Sequence, residues 1–327
     1  MTMRRFLIAF AIFAMAASAG WAQEKTNVSN GEITKRGLKP SDFPRWKKVG
    51  PDVYTFEGLH SPDADGSIIN TVSMIVVTND GVLIADGQGD PKQGQQLVDF
   101  IKKTTPQPVK YLVIASDHGD HTGGNSALKA AFPNMVFISS PASQKVLEKS
   151  ATPPTEVVAD KRTIKMGKTE IQVLNIGRAH TGGDLVVYLP QPKILFMSEV
   201  YLRGVFPAMR SAYPSEWVET IKKAQAMDVS LYIPAHGFID DPATMKKDLE
   251  EFRKALVAVI TEAKRLHAAN IPCAPASAPR GSRGSRPEPC EAAQKANWGP
   301  YADWALAGSQ GQTAILKVYQ EIDGKLP

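Results

Sequence analysis

Ser116-Asp117-His118-Gly119-Asp120-His121-Thr122-Gly123-Gly124-Asn125 follows directly on residues 109–115, a largely apolar run of the kind a buried strand shows. Three side chains able to hold a metal, His118, Asp120 and His121, fall within four residues at the end of that strand. A loop that only connects two elements has no need of such crowding. Imidazoles and carboxylates at this density suit Zn²⁺, Fe²⁺ or Mn²⁺. Gly123 and Gly124 let the backbone turn tightly beneath the ion.

Further along the chain, His180 stands in Gly177-Arg178-Ala179-His180-Thr181-Gly182-Gly183-Asp184 and His236 in Ile233-Pro234-Ala235-His236-Gly237. Four of the six histidines therefore sit beside small residues at the ends of expected strands. Glu199 closes the run Phe196-Met197-Ser198-Glu199, and Asp86 closes the apolar residues 82–85. In order and spacing, from roughly residue 53 to 236, these segments resemble the metallo-β-lactamase superfamily. Its pattern is H-x-H-x-D-H, then a distant His-Thr-x-Gly, an acidic residue after an apolar strand, and a final His. The resemblance implies a metal-dependent hydrolase with His118, Asp120, His121, His180, Glu199 and His236 as metal ligands. It also implies that Asp86 supports the site loops from below without touching metal.

Two positions depart from that pattern: Ser116 replaces the first His, and Glu199 replaces the usual bridging Asp. By resemblance the first metal position uses residue 116, His118 and His180, and serine is a poor neutral ligand. The second position keeps Asp120, His121 and His236, and Glu199 is one methylene longer than Asp yet able to reach or bridge. One tightly held zinc and a weak or absent second ion are expected, with iron or manganese as other candidates. Such an ion lowers the pKa of a bound water toward about 7 and polarises a carbonyl, phosphoryl or sulfuryl oxygen. Asp120 is the expected catalytic residue, orienting that water and passing a proton to the leaving group.

The expected pocket walls are residues 58–66 and 201–213, with His60, Arg203 and Arg210 as candidate substrate-binding residues, the arginines suiting an anionic or aromatic small molecule. Phe206 and Met209 are expected in the core.

β-branched and aromatic runs predict strands over 53–56, 71–77 and 82–86, with a hairpin turn at Asn79-Asp80-Gly81. Apolar spacing predicts helices over 90–104, 124–131, 141–149, 214–227 and 241–269. Strands are expected at 135–139, 162–166, 170–176, 184–189, 193–197 and 231–234. Two halves, each of sheet plus outer helices, make an α/β (α+β) protein, a four-layer αββα sandwich with ligands gathered at the rim of the facing sheets.

At the N-terminus, basic Arg4 and Arg5 precede the apolar run 6–17, and small residues at 17–22 offer cleavage points, so residues 1–22 read as a signal peptide of a periplasmic or secreted protein. The run is too short to span a bilayer, which takes about 20 residues, so no membrane span is expected in the mature form. Losing Arg4 and Arg5 with the leader takes the formal charge from +5 to +3, and no basic stripe interleaved with aromatics remains to track nucleic acid. Residues 23–45 read as a loose segment, 46–270 as the main domain, 271–290 as a Pro/Ala/Gly/Arg-rich loop, and 291–327 as a helical appendage. Cys273 and Cys290 flank that loop, and in an oxidising compartment they are expected to pair.

The leading reading is hydrolysis of an ester, lactone, lactam, thioester or sulfate. An iron-dependent sulfur dioxygenase-like enzyme is a second reading, weakened by Ser116, because those relatives depend on the first-position histidines. A non-catalytic periplasmic binding or accessory protein with a degenerate site is the third.

Overall fold

The computed structural model describes residues 28–61, 68–274 and 289–327. The expected signal peptide, part of loop 58–66 and most of loop 271–290 lie outside the described residues.

Seven strands form one sheet in chain order: β1 (Arg45–Gly50), β2 (Val53–His60), β3 (Ile69–Thr78), β4 (Gly81–Ala85), β5 (Val109–Val113), β6 (Val136–Ser139) and β7 (Glu156–Val157). Five more form the second: β8 (Lys161–Met166), β9 (Thr169–Leu174), β10 (Val186–Leu189), β11 (Ile194–Leu202) and β12 (Leu231–His236), in the order β12-β11-β10-β9-β8. The period of two along each strand divides its side chains between two cores. On β4 all five residues are buried, with Val82 and Ile84 turned to one apolar cluster and Leu83 and Ala85 to the other.

The first of these clusters is closed by α2 (Pro91–Thr104), whose Leu97, Val98, Phe100 and Ile101 share one face, together with Leu128 of α4 (Asn125–Ala131), which follows the short turn α3 (Gly119–Thr122). Asp90 starts α2 by accepting from the Gln93 amide at 2.8 Å, with Pro91 at the first helical position. Beyond β6 comes α5 (Pro141–Leu147). Between and behind the two sheets lies the larger cluster, covered on its far side by α6 (Pro214–Gln225) and α7 (Pro242–Ala268). The result is two sheets flanked by helices, the expected four layers.

Three segments differ from their sequence reading. Residues 23–45 are not all loose: α1 (Val28–Lys35) buries Ile33, and Arg36 just after it makes a bidentate pair with Asp240, both bonds 2.6 Å. Those partners are some 200 residues away, so no local pattern announces the helix. Strand β11 runs on from Met197 to Leu202, with its pairing to β12 shifted on either side of Ser198, a bulge that carries Glu199 within the strand rather than after it. Finally, the C-terminal α8 (Glu291–Lys295) and α9 (Ala307–Ile322) share the large core through Ala292, Ala307, Ala314, Ile315 and Val318, and a Cys273–Cys290 disulfide ties the segment to the end of α7.

Candidate metal centre

All six candidate ligands converge at one end of the paired sheets. His118 caps the N-terminus of α3, which carries Asp120 and His121 directly beyond β5. His180 comes from the connection between β9 and β10, Glu199 from the bulge of β11, and His236 ends β12. The backbone holding these side chains is strained where it turns: Asp86 and Ser198 both adopt left-handed conformations, with φ of 63° and 46°.

Asp86 organises the loops beneath the site. Its Oδ1 accepts from the amide of Ala115 at 2.8 Å, and its Oδ2 from Ser198 Oγ at 2.5 Å and from His121 Nδ1 at 2.8 Å. A carboxylate can only accept, so His121 keeps a proton on Nδ1 and faces Nε2 into the site, where it offers a lone pair to a metal once the second ring proton is displaced. His236 is set the same way by a carbonyl, Nδ1 donating to Asn70 O at 2.7 Å. Asn70 also grips the next peptide with its side chain, accepting from Gly237 N at 2.7 Å and donating to Gly237 O at 3.0 Å. Residue 237 has to be glycine: its φ is +95°, and a Cβ there would stand 2.7 Å from the Arg203 carbonyl.

The inward atoms form two groups sharing Glu199: Asp120, His121, Glu199 and His236 in one, His118, His180 and Glu199 in the other. Donors around a tetrahedral zinc at roughly 2.0–2.2 Å stand about 3.4 Å apart. In the first group His236 Nε2 and His121 Nε2 lie 3.4 and 3.6 Å from Asp120 Oδ2, and 3.7 and 3.9 Å from Glu199 Oε1. His121 Nε2 is buried and has no hydrogen-bond partner, which a cation at the centre of this group would supply. The residues fit a metal. The second group is tighter: His118 Nδ1 is 2.8 Å from Glu199 Oε2, and His180 Nε2 is 3.1 Å from both Glu199 Oε1 and His118 Nδ1. Here the donors bond to one another, and Ser116 Oγ adds a very short bond to Glu199 Oε2.

Electrostatics agree with a cation-binding site. Burial works against the charge on Glu199, but His180, His118 and His121 hold its pKa well below the usual carboxylate range. Burial likewise opposes the charged imidazoles, yet Glu199 lifts His118 to about 9, and Asp120 and Asp86 lift His121 to about 10. His180, edge-on to the Trp217 ring with centroids 5.1 Å apart, is shifted down, mainly by its burial.

The ligand groups open into a cavity of about 380 Å³. His60 and Arg210 line it, and His60 Nε2 comes within 3.5 Å of Asp120 Oδ2. Arg203 does not: its guanidinium is spent on Asp248 (2.7 and 2.8 Å), Asp240 (2.8 Å) and the Phe238 carbonyl, behind the His236 turn. The expectation of a substrate contact at Arg203 is therefore corrected. Position in the run 201–213 misled because strand pairing of β11 with β12 turns residue 203 toward α7. Phe206 and Met209 are fully buried. The sequence reading missed Leu306, Gln310 and Thr313, which also line the cavity. Their spacing of four and three along α9 is the one local signal that could have grouped them.

Comparison with known proteins agrees with this geometry. The family model described as the metallo-beta-lactamase superfamily matches residues 68–236. The chain is 24% identical over 195 residues to a metallo-beta-lactamase type 2 of Bacillus sp. (strain 170), covering 57% of this chain and 74% of that protein. It is 28% identical over 173 residues to metallo-beta-lactamase IND-1 of Chryseobacterium indologenes, covering 50% and 70%. The solved structure of a metallo-beta-lactamase from Pontibacter korlensis superposes with a TM-score of 0.58 at 24% identity, over 64% of this chain and 98% of that one. With the match spanning more than half of the sequence and the same fold in both sheets, the chain belongs to the metallo-beta-lactamase superfamily.

Proposed function

We propose that this protein is an exported, metal-dependent hydrolase that holds one zinc ion firmly between Asp120, His121, His236 and Glu199 and a second, weaker one, if any, at His118 and His180. The observation that carries the reading is the open spacing of the first group, 3.4–3.9 Å between donors, against the closed hydrogen bonding of the second. When bound, the ion supplies a water acidified toward neutrality and an electrophile for the substrate oxygen.

The side chains do the remainder. Although burial raises its pKa, His121 and His236 help hold Asp120 below the carboxylate range, so it is an anion at neutral pH. It faces the cavity, so it can orient water, take up a proton and return it to the leaving group. His60 is kept neutral by burial and by His236, its pKa pushed down to about 4, and its ring steadies Asp120 without adding charge. The substrates proposed are esters, lactones, lactams, thioesters or sulfates of small molecules.

Metal analysis of the purified protein, coupled to a panel of those substrates, tests the proposal. About one equivalent of zinc is expected, and Asp120→Asn should abolish turnover. Unchanged turnover in that variant rejects the mechanism. Export through residues 1–22 is checked by the N-terminal sequence of the mature protein, expected to start near residue 20 or 23.

A further inference from the structure

The family match ends at residue 236, yet the cavity does not. Helix α9 reaches it with a single stripe, Leu306, Gln310 and Thr313, while the neighbouring stripe of Ala307, Ala314, Ile315 and Val318 is buried in the core. The helix is firmly seated. Phe206 N donates to Ala305 O at 2.9 Å, Tyr213 Oη to Pro327 O at 3.1 Å, and Ser215 bonds Glu321 through both its amide and its hydroxyl at 2.9 and 2.7 Å. These anchors join α9 to residues 205–215, the segment that also carries Arg210. Leu306, the residue capping α9, is held at a φ of 68°, a strained conformation for leucine that this docking maintains.

What the stripe offers is unspent. Among the described residues, the Gln310 amide group, the Thr313 hydroxyl and the Arg210 guanidinium have no hydrogen bond or ion pair within the protein. Apolar Ile69, Leu202, Val205 and Leu306 line the same cavity as these groups and the metal ligands. A guanidinium, an amide and a hydroxyl together present donors to a planar anion. One arginine in a cavity that also holds the Asp120 and Glu199 carboxylates suits a monoanion better than a dianionic phosphate.

We propose that α9, through Leu306, Gln310 and Thr313 acting with Arg210, is the recognition wall of the metal cavity and selects acyl substrates whose apolar body ends in a carboxylate. This rests on the hydrolase reading above for its chemistry but not for its binding geometry.

The test compares two esters that differ only in that group, 4-nitrophenyl butanoate and the 4-nitrophenyl monoester of glutaric acid, on zinc-loaded full-length protein. The wild type should favour the carboxylate ester. In Gln310→Leu/Thr313→Val and in Arg210→Gln, the ratio of the two kcat/KM values should fall by about tenfold or more, mainly through KM. An unaltered ratio overturns the proposal. Should the wild type cleave neither these esters nor the wider substrate panel, the hydrolase reading fails by itself, and the wall is judged by calorimetric binding of glutaranilic acid. Weaker binding in the variants then supports the proposal, and equal binding overturns it. Zinc content and circular dichroism report whether each variant retains the site and the fold.

Discussion

Ser116 Oγ donates to Glu199 Oε2, so the two positions at which this chain departs from its family's metal pattern are in direct contact. The serine leaves space where a histidine ring would stand, and the extra methylene of the glutamate reaches into it. A buried hydrogen bond to a charged group contributes about 1.5–3 kcal/mol. Ser116→Ala and Glu199→Asp should therefore be coupled: each lowers stability alone, and the double variant costs less than their sum by about 1–2 kcal/mol. A double-mutant cycle in urea, with zinc held constant, measures this, and additive effects would show that the contact carries no energy.

Asp86 fixes the proton of His121 by accepting from its Nδ1. Asp86→Asn puts an amide there that can present N–H instead of oxygen, favouring the tautomer whose Nε2 has no lone pair to offer. Zinc affinity should fall about 10–100-fold, the usual scale for such supporting partners. Competition with a chromophoric chelator reads this directly.

In the metal-free protein His118 and His121 hold protons to about pH 9 and 10, because Glu199 acts on the first and Asp120 and Asp86 on the second, in both cases against burial. Their folded pKa values lie above the unfolded value, so the stability these ion pairs contribute is complete below about pH 6.5 and disappears as pH rises through 9 to 10. Zinc binding must displace the same protons. Calorimetry at pH 7 in buffers of different ionisation enthalpy should show at least one proton released per zinc, and a zero slope would contradict the protonated resting state.

Glu57 is buried on β2, 3.8 Å from Arg45 Nε and 3.5 Å from Asn70 Nδ2. Burial lifts its pKa to about 7, against the pull of Arg45, Lys47 and Arg36. The folded state thus binds this proton more tightly than the unfolded chain, and stability falls as pH rises from about 4.5 to about 7, by roughly 3 kcal/mol in all. Glu57→Gln removes the titration. The variant should gain on the wild type across that window and keep a constant advantage above it, which paired urea melts at pH 5 and pH 8 will show. A variant that loses ground at pH 8 would mean that the ionised carboxylate is the favoured partner of Arg45.

Arg203, held by Asp240 and Asp248 behind the His236 turn, should behave as a structural residue. Arg203→Met leaves Asp248 without its arginine and Asp240 with Arg36 alone, and a loss of about 1.5–3 kcal/mol in stability is expected. With zinc saturating, KM should respond far less than it does to Arg210→Gln, and the reverse order would restore Arg203 to the substrate.

The amino-acid order alone determined the family, the six candidate ligands and most of the sheet. Metal-ligand clusters at strand ends and the alternation of apolar side chains are local patterns, readable within ten residues of chain. Only the tertiary structure decided which histidine nitrogen faces inward, that Ser116 meets Glu199 across 83 positions, that Arg203 turns away while Arg210 does not, and that α9 closes the cavity. Each of these depends on partners brought together by sheet pairing and helix docking, and a contact between distant residues leaves no periodicity in the sequence of either.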